Sequence, residues 1–399
     1  MAIKIFTDMP ELLENILYNL SNEIYSLHSG GTLNNLSLNF SDYEINSEIL
    51  NSLERSEQFF FSQLQNLSLY ITSQFRIDNV TTLLRILAKN TTKIRALHLD
   101  GFYFGYESQL IHTLIYIIKS QEQLRKFHLF GDRRTFTKPY GTISALEYQK
   151  QSLQEIIINK CYDYCAEFDV LTNCENLEVL RIINCDLKIL KTTSLYKIKP
   201  LKTLEIIDYA IDASCIVEIL ENSGSLLQRL KLESENRDIY EDLLLLKTLK
   251  SFCPNITYLN FLFIEFSPQL IELIGNLKQL QFLTLLCTCN YIPEKELKTR
   301  VIQLAEILPL TLQYLDLLID SLEPHIDIFL NNCNAPLKNL LINHLDIEKN
   351  TKALIEFCKR NETLNYVGSR NFSYLDRNIK KEVERYVSLV PFEDIVIDC

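Results

Sequence analysis

One spacing of hydrophobic residues, L-x-x-L-x-L, recurs along most of the chain. It fits twelve times, at steps of about 28 residues on average. A thirteenth match at Leu364 fails at its last position, Ser369. The twelve matches begin at Leu33, Leu64, Ile94, Leu124, Leu153, Leu177, Leu201, Leu227, Ile256, Leu280, Leu312 and Leu337. A single match means little in a chain rich in leucine, but twelve in series predict an array of stacked repeat units.

Each unit combines two periodicities. The x-L-x-L-x part alternates with period two, which predicts a short strand whose leucines face inward. The residues that follow have helical spacing: NVTTLLRILAK (79–89) places its apolar residues on one face, and SPQLIELIGNL (267–277) begins with a capping serine and a proline. The repeat length and pattern predict an α/β leucine-rich-repeat solenoid, a curved horseshoe with parallel strands on its concave face and helices on its convex face.

The pattern also predicts where the solenoid begins and ends. Residues 1–29 read as a helical segment before the repeats, and residues 30–372 as a solenoid of about twelve repeats. Residues 373–399 read as a C-terminal cap, in which 377–390 has the spacing of an amphipathic helix and 392–398 alternates like a strand.

Composition narrows the classes of partner. The chain has 399 residues, 47% of them hydrophobic and 23% charged, with a net charge of −11. An acidic chain disfavours nonspecific binding to nucleic acid or to anionic membranes. The first residues lack the layout of a signal peptide, and no apolar run has the length of a membrane helix. We therefore expect an intracellular protein, cytoplasmic or nuclear, with neither a nucleic-acid nor a membrane partner.

The cysteines fit the repeat better than they fit any special chemistry. Eleven occur in the chain, an odd number that full internal pairing cannot satisfy. Free cysteine is among the most buried residue types, and several cysteines stand at the turns next to predicted strands: Cys161, Cys174, Cys185, Cys253 and Cys333. We expect these to be core residues, and we expect no metal site and no cofactor. The close pairs Cys287/Cys289 and Cys161/Cys165 lack a second pair at zinc-site spacing.

Motifs for catalysis are missing. The sequence contains no phosphate-binding glycine loop, dinucleotide fingerprint or nucleophile elbow. His98 and His128 occupy the same position of neighbouring predicted strands and should lie side by side, as a solvated pair rather than a catalytic one. We expect no enzyme activity and assign no catalytic residue.

The outward positions of the predicted strands form the candidate binding surface. Solenoids bind partners through this face, and aromatic anchors in a continuous patch are typical of binding hot spots. In three successive repeats an aromatic and an aliphatic column flank a polar one, with charged residues on the strands before them. The predicted partner-binding residues are Tyr258, Phe282 and Tyr314, then Leu262, Leu286 and Leu318, then Asn260, Thr284 and Asp316, and finally Glu205, Arg229 and Lys231. The alternative is that another segment of the chain covers this surface.

The units CPNITYLNF and CENLEVLRIINC resemble the cysteine-containing repeats of F-box/leucine-rich-repeat proteins. MPELLENILYNLSNEIYSL (9–27) is similar to the first half of an F-box. The chain has no tryptophan for the element that usually ends an F-box, and the repeats begin directly after Gly30 and Gly31. The residues that match the adaptor-binding part of an F-box are Met9, Pro10, Leu12, Leu13, Ile16 and Leu17.

This resemblance implies a function. The chain would be the substrate-recognition subunit of an SCF-type ubiquitin ligase, with a protein substrate on the concave face and the Skp adaptor on residues 9–27. Because half of the F-box is missing, a binding scaffold with no ubiquitin role is the alternative. A third is an enzyme-linked repeat protein such as a Ran GTPase-activating protein, whose asparagine-rich column is replaced here by Cys161, Cys185, Tyr209, Glu235 and Ile264.

Overall fold

The structure is a computed structural model of the whole chain. It describes residues 34–40, 61–71, 77–102, 108–131, 141–161, 166–185, 197–198, 201–208, 211–234, 239–240, 242–289, 292–317, 324–342, 345, 347–369 and 372–395. The chain divides into two compact units, Met1–Pro200 and Leu201–Cys399. The predicted helical segment at residues 1–29 lies outside the described residues.

The first unit alternates parallel strands with helical connections. Its described elements are β1 (Asn35–Phe40), β2 (Asn66–Ile71), α1 (Ile77–Asn90), β3 (Ala96–Phe102), α2 (Ser108–Ser120), β4 (Lys126–Gly131), a 3-10 segment (Ser144–Gln149), β5 (Glu155–Asn159), a second 3-10 segment (Ala166–Asn173) and β6 (Val179–Ile183). Each strand pairs in parallel with the next, from β1 through to β6.

The second unit follows the same plan. Its larger sheet contains β7 (Thr203–Asp208), β9 (Arg229–Ser234), β11 (Tyr258–Glu265), β12 (Phe282–Thr288), β13 (Tyr314–Leu317), β14 (Asn339–Leu341), β15 (Tyr366–Ser369) and β16 (Ser388–Pro391). The main connections are α3 (Ala213–Ser223), α4 (Asp242–Phe252), α5 (Pro268–Asn276), α6 (Glu294–Ile307), α7 (Ile326–Asn332), α8 (Glu348–Arg360) and α9 (Arg377–Val383). Short 3-10 segments lie at Gly224–Leu226, Phe372–Tyr374 and Phe392–Asp394.

The strand register confirms the leucine-rich-repeat fold. Each of the twelve matches leads into a strand, and within each unit the inward apolar residues of one strand stand opposite those of the next. Leu259 and Phe261 of β11, for example, stand opposite Leu283 and Leu285 of β12. These four side chains are buried. Neighbouring repeats therefore bury each other's apolar rows, as a solenoid requires.

Local sequence explains how α1 and α5 form. In α1 the residues on the predicted apolar face, Val80, Leu83, Leu84 and Leu87, are all buried. At the start of α5 the Ser267 hydroxyl accepts a hydrogen bond from the Leu270 amide at 3.2 Å, and Pro268 stands at the first helical position. Because a helix leaves its first amides without internal partners, this serine satisfies one of them.

The structure departs from the sequence prediction at three places. Two connections of the first unit are 3-10 segments rather than α-helices. In the C-terminal cap, the predicted helix at 377–390 ends with α9 at Val383, and 388–391 pairs instead with β15, so the parallel ladder runs past the failed match at Leu364. The strand predicted from 392 onward begins instead as the 3-10 segment Phe392–Asp394. Two-residue strands, β8 (Ile211–Asp212) and β10 (Ile239–Tyr240), form a small second sheet that the repeat pattern did not predict.

The described cysteines behave as core residues. Cys161, Cys174, Cys185, Cys253 and Cys333 are buried and are not in disulfides. Lys160 and Asn184, which precede Cys161 and Cys185, both have left-handed backbone, with φ of 57° and 50°. The chain thus turns out of β5 and β6 in the same way and returns each thiol to the interior. Burial raises the pKa of Cys174 and of Cys253 to about 12, so both thiols stay protonated at neutral pH.

We expect Gly224→Ala to destabilise the second unit through overpacking. A Cβ at Gly224 would lie 2.6 Å from the Cys253 sulfur and 2.9 Å from the Phe252 carbonyl oxygen. Because the added methyl group is too close to both atoms, the backbone must shift, which lowers the free energy of unfolding by about 1–3 kcal/mol. Urea unfolding measures the loss. In the double variant with Cys253→Ala the total loss should be smaller than the sum of the two single losses, because one clash is gone. Strict additivity would contradict this packing.

Candidate functional site

The outward positions of the strands in the second unit bring the predicted binding residues into rows. Tyr258, Phe282 and Tyr314 pair in register on β11, β12 and β13. We call these three residues the aromatic row. Their ring centroids lie 6.4 Å and 6.2 Å apart in tilted arrangements, within the range for favourable aromatic contacts. The Arg229 guanidinium extends the row, 4.5 Å from the Tyr258 ring centroid. The predicted adjacency is therefore correct.

The predicted exposure of the aromatic row is wrong for two of its three members. Tyr258 and Tyr314 are each only 1% exposed, whereas Phe282 is half-buried. Strand alternation decides which side of the sheet a residue faces. Exposure on that side depends on the size of the neighbouring side chains. Tyr258 lies between Arg229 and Phe282 on the two neighbouring strands. These large side chains cover most of its ring.

The polar column between the aromatic and aliphatic residues is buried as well. We call Asn260, Thr284 and Asp316 the polar row; they pair in register, and each is buried, although they were predicted to be outward, partner-binding residues. The Asn260 amide nitrogen donates to the Tyr258 hydroxyl at 3.3 Å. The Asn260 side-chain oxygen is buried and accepts no hydrogen bond from the described part of the chain. Such an atom is costly, since a buried acceptor without a donor loses its hydration.

Two of the charged residues on the strands before the aromatic row form an ion pair. Lys231 of β9 stands opposite Glu205 of β7, and its ammonium lies 3.1 Å from the Glu205 carboxylate. Their side chains are only 13% and 6% exposed. Glu205 was predicted to be part of the charged binding surface, but it is buried, and Lys231 compensates its charge. Arg229 and Lys231 are half-buried.

The aliphatic column is the more open side of the predicted site. Leu262 and Leu286 pair in register and are both half-buried. The third predicted member, Leu318, lies outside the described residues. The predicted adaptor-binding residues also lie outside the part of the chain that the structure describes: Met9, Pro10, Leu12, Leu13, Ile16 and Leu17.

A second cluster, on the strands of the first unit, was only partly found from the sequence. His98 and His128 pair in register on β3 and β4, as predicted, with ring centroids 5.7 Å apart in an edge-on arrangement. His98 also stacks on Phe130 at 4.9 Å and contacts Tyr70 at 5.5 Å. Burial and the neighbouring His128 lower the pKa of His98.

Glu155 of β5 completes this cluster, and it was not predicted from the sequence. Its two carboxylate oxygens accept from the His128 ring nitrogen at 2.9 Å and from the Lys126 ammonium at 2.8 Å. The hydrogen bond from His128, aided by Lys126, outweighs partial burial and lowers the pKa of Glu155 to about 2. The repeat pattern could have predicted this contact, because Glu155 is the third residue of its repeat and lies on the strand next to His128, diagonally opposite it.

The structure also bears on metal-binding groups and membrane-spanning helices. Among the described residues no three histidine, cysteine, aspartate or glutamate side chains are grouped closely enough to hold a metal ion. Within the same ranges, every helix is too short or too polar to cross a membrane.

Comparison with known proteins gives similarities of fold only. No family model matches the sequence, and no curated protein matches it. Among solved structures, the leucine-rich repeat-containing protein LegL7 of Legionella pneumophila is 12% identical, with a TM-score of 0.35, over 91% of this chain and 92% of its own. A Bacteroides fragilis protein is 13% identical over 87% and 81%, with a TM-score of 0.33. A chain of the Toll–Spätzle complex of Drosophila is 12% identical over 77% and 47%, with a TM-score of 0.34.

We expect Glu155→Gln to lower the stability of the first unit in a pH-dependent way. A carboxylate whose pKa is depressed in the folded state stabilises the fold above its ordinary pKa of 4.5, and this contribution is lost as the pH falls toward 2. At pH 7 the loss should be about 1–2 kcal/mol after allowance for solvent screening of the partly exposed group. Urea unfolding at pH 7, 5 and 3 measures it.

Glu175→Gln is the control for this experiment, because it makes the same change of charge at an exposed turn. It should have little effect at any of the three pH values. An equal loss for Glu155→Gln at pH 7 and pH 3 would contradict the ionised bridge.

Proposed function

We propose that the chain is a protein-interaction scaffold that binds a protein partner through the outward strand face of its second unit. The observation that carries this proposal is Phe282, a half-buried aromatic ring held between two buried tyrosines. Binding hot spots are typically aromatic side chains fixed in well-packed surroundings before the partner arrives. Leu262 and Leu286, both half-buried, extend the apolar contact on the other side of the polar row.

The more specific proposal is that this scaffold is the substrate-recognition subunit of an SCF-type ubiquitin ligase. It is supported by the resemblance of residues 9–27 to the first half of an F-box and by its place before cysteine-containing repeats. In this proposal the protein works inside the cell, the strand face holds the substrate, and residues 9–27 contact the Skp adaptor. A scaffold without any ubiquitin role is the alternative, because the second half of the F-box is missing.

Phe282→Ala should weaken partner binding more than it weakens the fold. Partners are recovered by affinity purification and mass spectrometry, and the dissociation constant of a recovered partner is then measured with purified proteins. Loss of a central aromatic anchor should cost about 2 kcal/mol or more of binding free energy. Tyr116→Ala removes an exposed aromatic ring from α2 and serves as the control. Strong destabilisation by Phe282→Ala with unchanged binding would instead make Phe282 a core residue.

Binding of the purified chain to the Skp adaptor tests the ubiquitin-ligase proposal separately. Half an F-box buries less surface than a whole one, so we expect a dissociation constant of about a micromolar or weaker. A complete F-box grafted at residue 30 should tighten it, and deletion of residues 1–29 should abolish it. Nanomolar binding would show that the second half of the F-box is present in an unrecognised form. No binding before or after grafting would leave the scaffold without a ubiquitin role.

A further inference from the structure

Two arginines stand side by side where β3 and β4 begin. Arg95 precedes β3 and Arg125 precedes β4, and the Arg125 amide donates to the Arg95 carbonyl at 2.8 Å, so the two residues are neighbours across the strands. Both side chains are exposed, and so are those of Lys93 and Lys126 beside them. Four cations thus lie at one rim of the first unit, in a chain whose net charge is −11.

The two guanidinium groups have no counter-ion of their own in the described part of the chain. The carboxylate of the neighbouring strand, Glu155, is paired with Lys126 at 2.8 Å and with His128 at 2.9 Å. Like charges opposite each other on neighbouring strands destabilise a sheet. An acidic chain that leaves two adjacent arginines unpaired therefore carries a local cost that a bound anionic group would remove.

Apolar surface lies on the same strands, beyond this rim. Tyr70 is 37% exposed and Phe130 is half-buried, and the His98 ring contacts both. Tyr70 and Phe130 flank Asp100 in register on β2, β3 and β4. Arg95 and Asp100 are five positions apart, which is about 16 Å along a strand. The face thus has a basic end and an apolar end. Asp100 lies at the apolar end, where its carboxylate repels acidic side chains of a ligand.

We propose that this face of the first unit binds an extended acidic peptide segment of a protein partner. Carboxylates of the segment bind Arg95 and Arg125, because a guanidinium pairs with a carboxylate through two parallel hydrogen bonds. An aromatic or aliphatic side chain about five residues away packs on Tyr70 and Phe130, since an extended chain spans roughly 3.3 Å per residue. Asp100 fixes the orientation by excluding the acidic end from the apolar end.

This inference is independent of the function proposed above. It concerns the first unit, whereas the aromatic row belongs to the second. Phe282→Ala should therefore leave binding of the acidic peptide unchanged, and the two proposals can fail separately.

The test begins with a library of random 12-residue peptides displayed on phage and selected on the full-length chain. We expect the enriched peptides to contain two or more Asp or Glu residues and an aromatic or large aliphatic residue about five positions away. Synthetic, fluorescently labelled versions are then titrated with the full-length chain by fluorescence anisotropy. Binding should weaken as salt rises, because the arginines at the rim are exposed.

Charge reversal at the rim is the decisive variant. The double substitution Arg95→Glu and Arg125→Glu should weaken peptide binding by about tenfold or more, since it replaces two attractive pairs by repulsive ones. The matched control, Arg85→Glu with Lys89→Glu, makes the same change of net charge on the exposed side of α1 and should change the dissociation constant less than about twofold. If the reversed protein shows an altered circular dichroism spectrum, the pair Arg95→Ala and Arg125→Ala replaces it.

Four outcomes would overturn the proposal. The selection enriches no peptide, or enriches peptides without acidic residues. Rim and control variants lose binding equally, which would show that the loss comes from the changed net charge and not from a site at the rim. Rim substitutions leave binding unchanged. Finally, a 12-nucleotide uridine oligomer binds more tightly than any selected peptide, which would assign the arginines to nucleic acid.

Discussion

The fold depends on one constraint: no repeat can bury its own strand leucines. A strand of five or six residues has an apolar side that needs a neighbour, and parallel pairing in register supplies one on the next repeat. Leu230, Leu259 and Leu283 follow each other in this way on three paired strands, and all are buried. A shift of one residue in any strand would turn its leucines outward, so the register is fixed strongly. The outward side chains, including the candidate binding residues, take their positions from this register.

That constraint also explains why the two strand faces differ. Once the inner positions are fixed, the outward side chains stand one strand spacing apart and contact each other. In the second unit the aromatic and polar rows are buried except for Phe282, which is half-buried. In the first unit smaller residues such as Ser68 and Ala96 stand between the larger ones, and Tyr70 and the rim arginines remain accessible. The same backbone arrangement thus yields a closely packed face in one unit and an open one in the other.

The sequence predicted those features whose positions follow from the period of the repeat. It located the twelve repeat strands, the buried cysteines, the Ser267 cap and the neighbouring pairs Tyr258–Phe282 and His98–His128, because each follows from counting along one repeat. It failed where the result depends on contacts between side chains of different repeats. Burial of Tyr314 and Glu205 is set by neighbours on adjacent strands, and Glu155 joins His128 only through a diagonal contact. It also failed at 388–391, where pairing with β15 outweighed a helical spacing.

The strand β16 has a consequence for the behaviour of the protein at high concentration. Among the described residues its one strand neighbour is β15, so within that part of the chain its other side forms an edge of the sheet. Free edges invite pairing between molecules, the first step toward aggregation. Here the edge is only four residues long and ends in Pro391, which has no amide hydrogen to offer an incoming strand. Within the described part of the chain, this edge of β16 therefore offers few backbone groups for strand pairing between molecules.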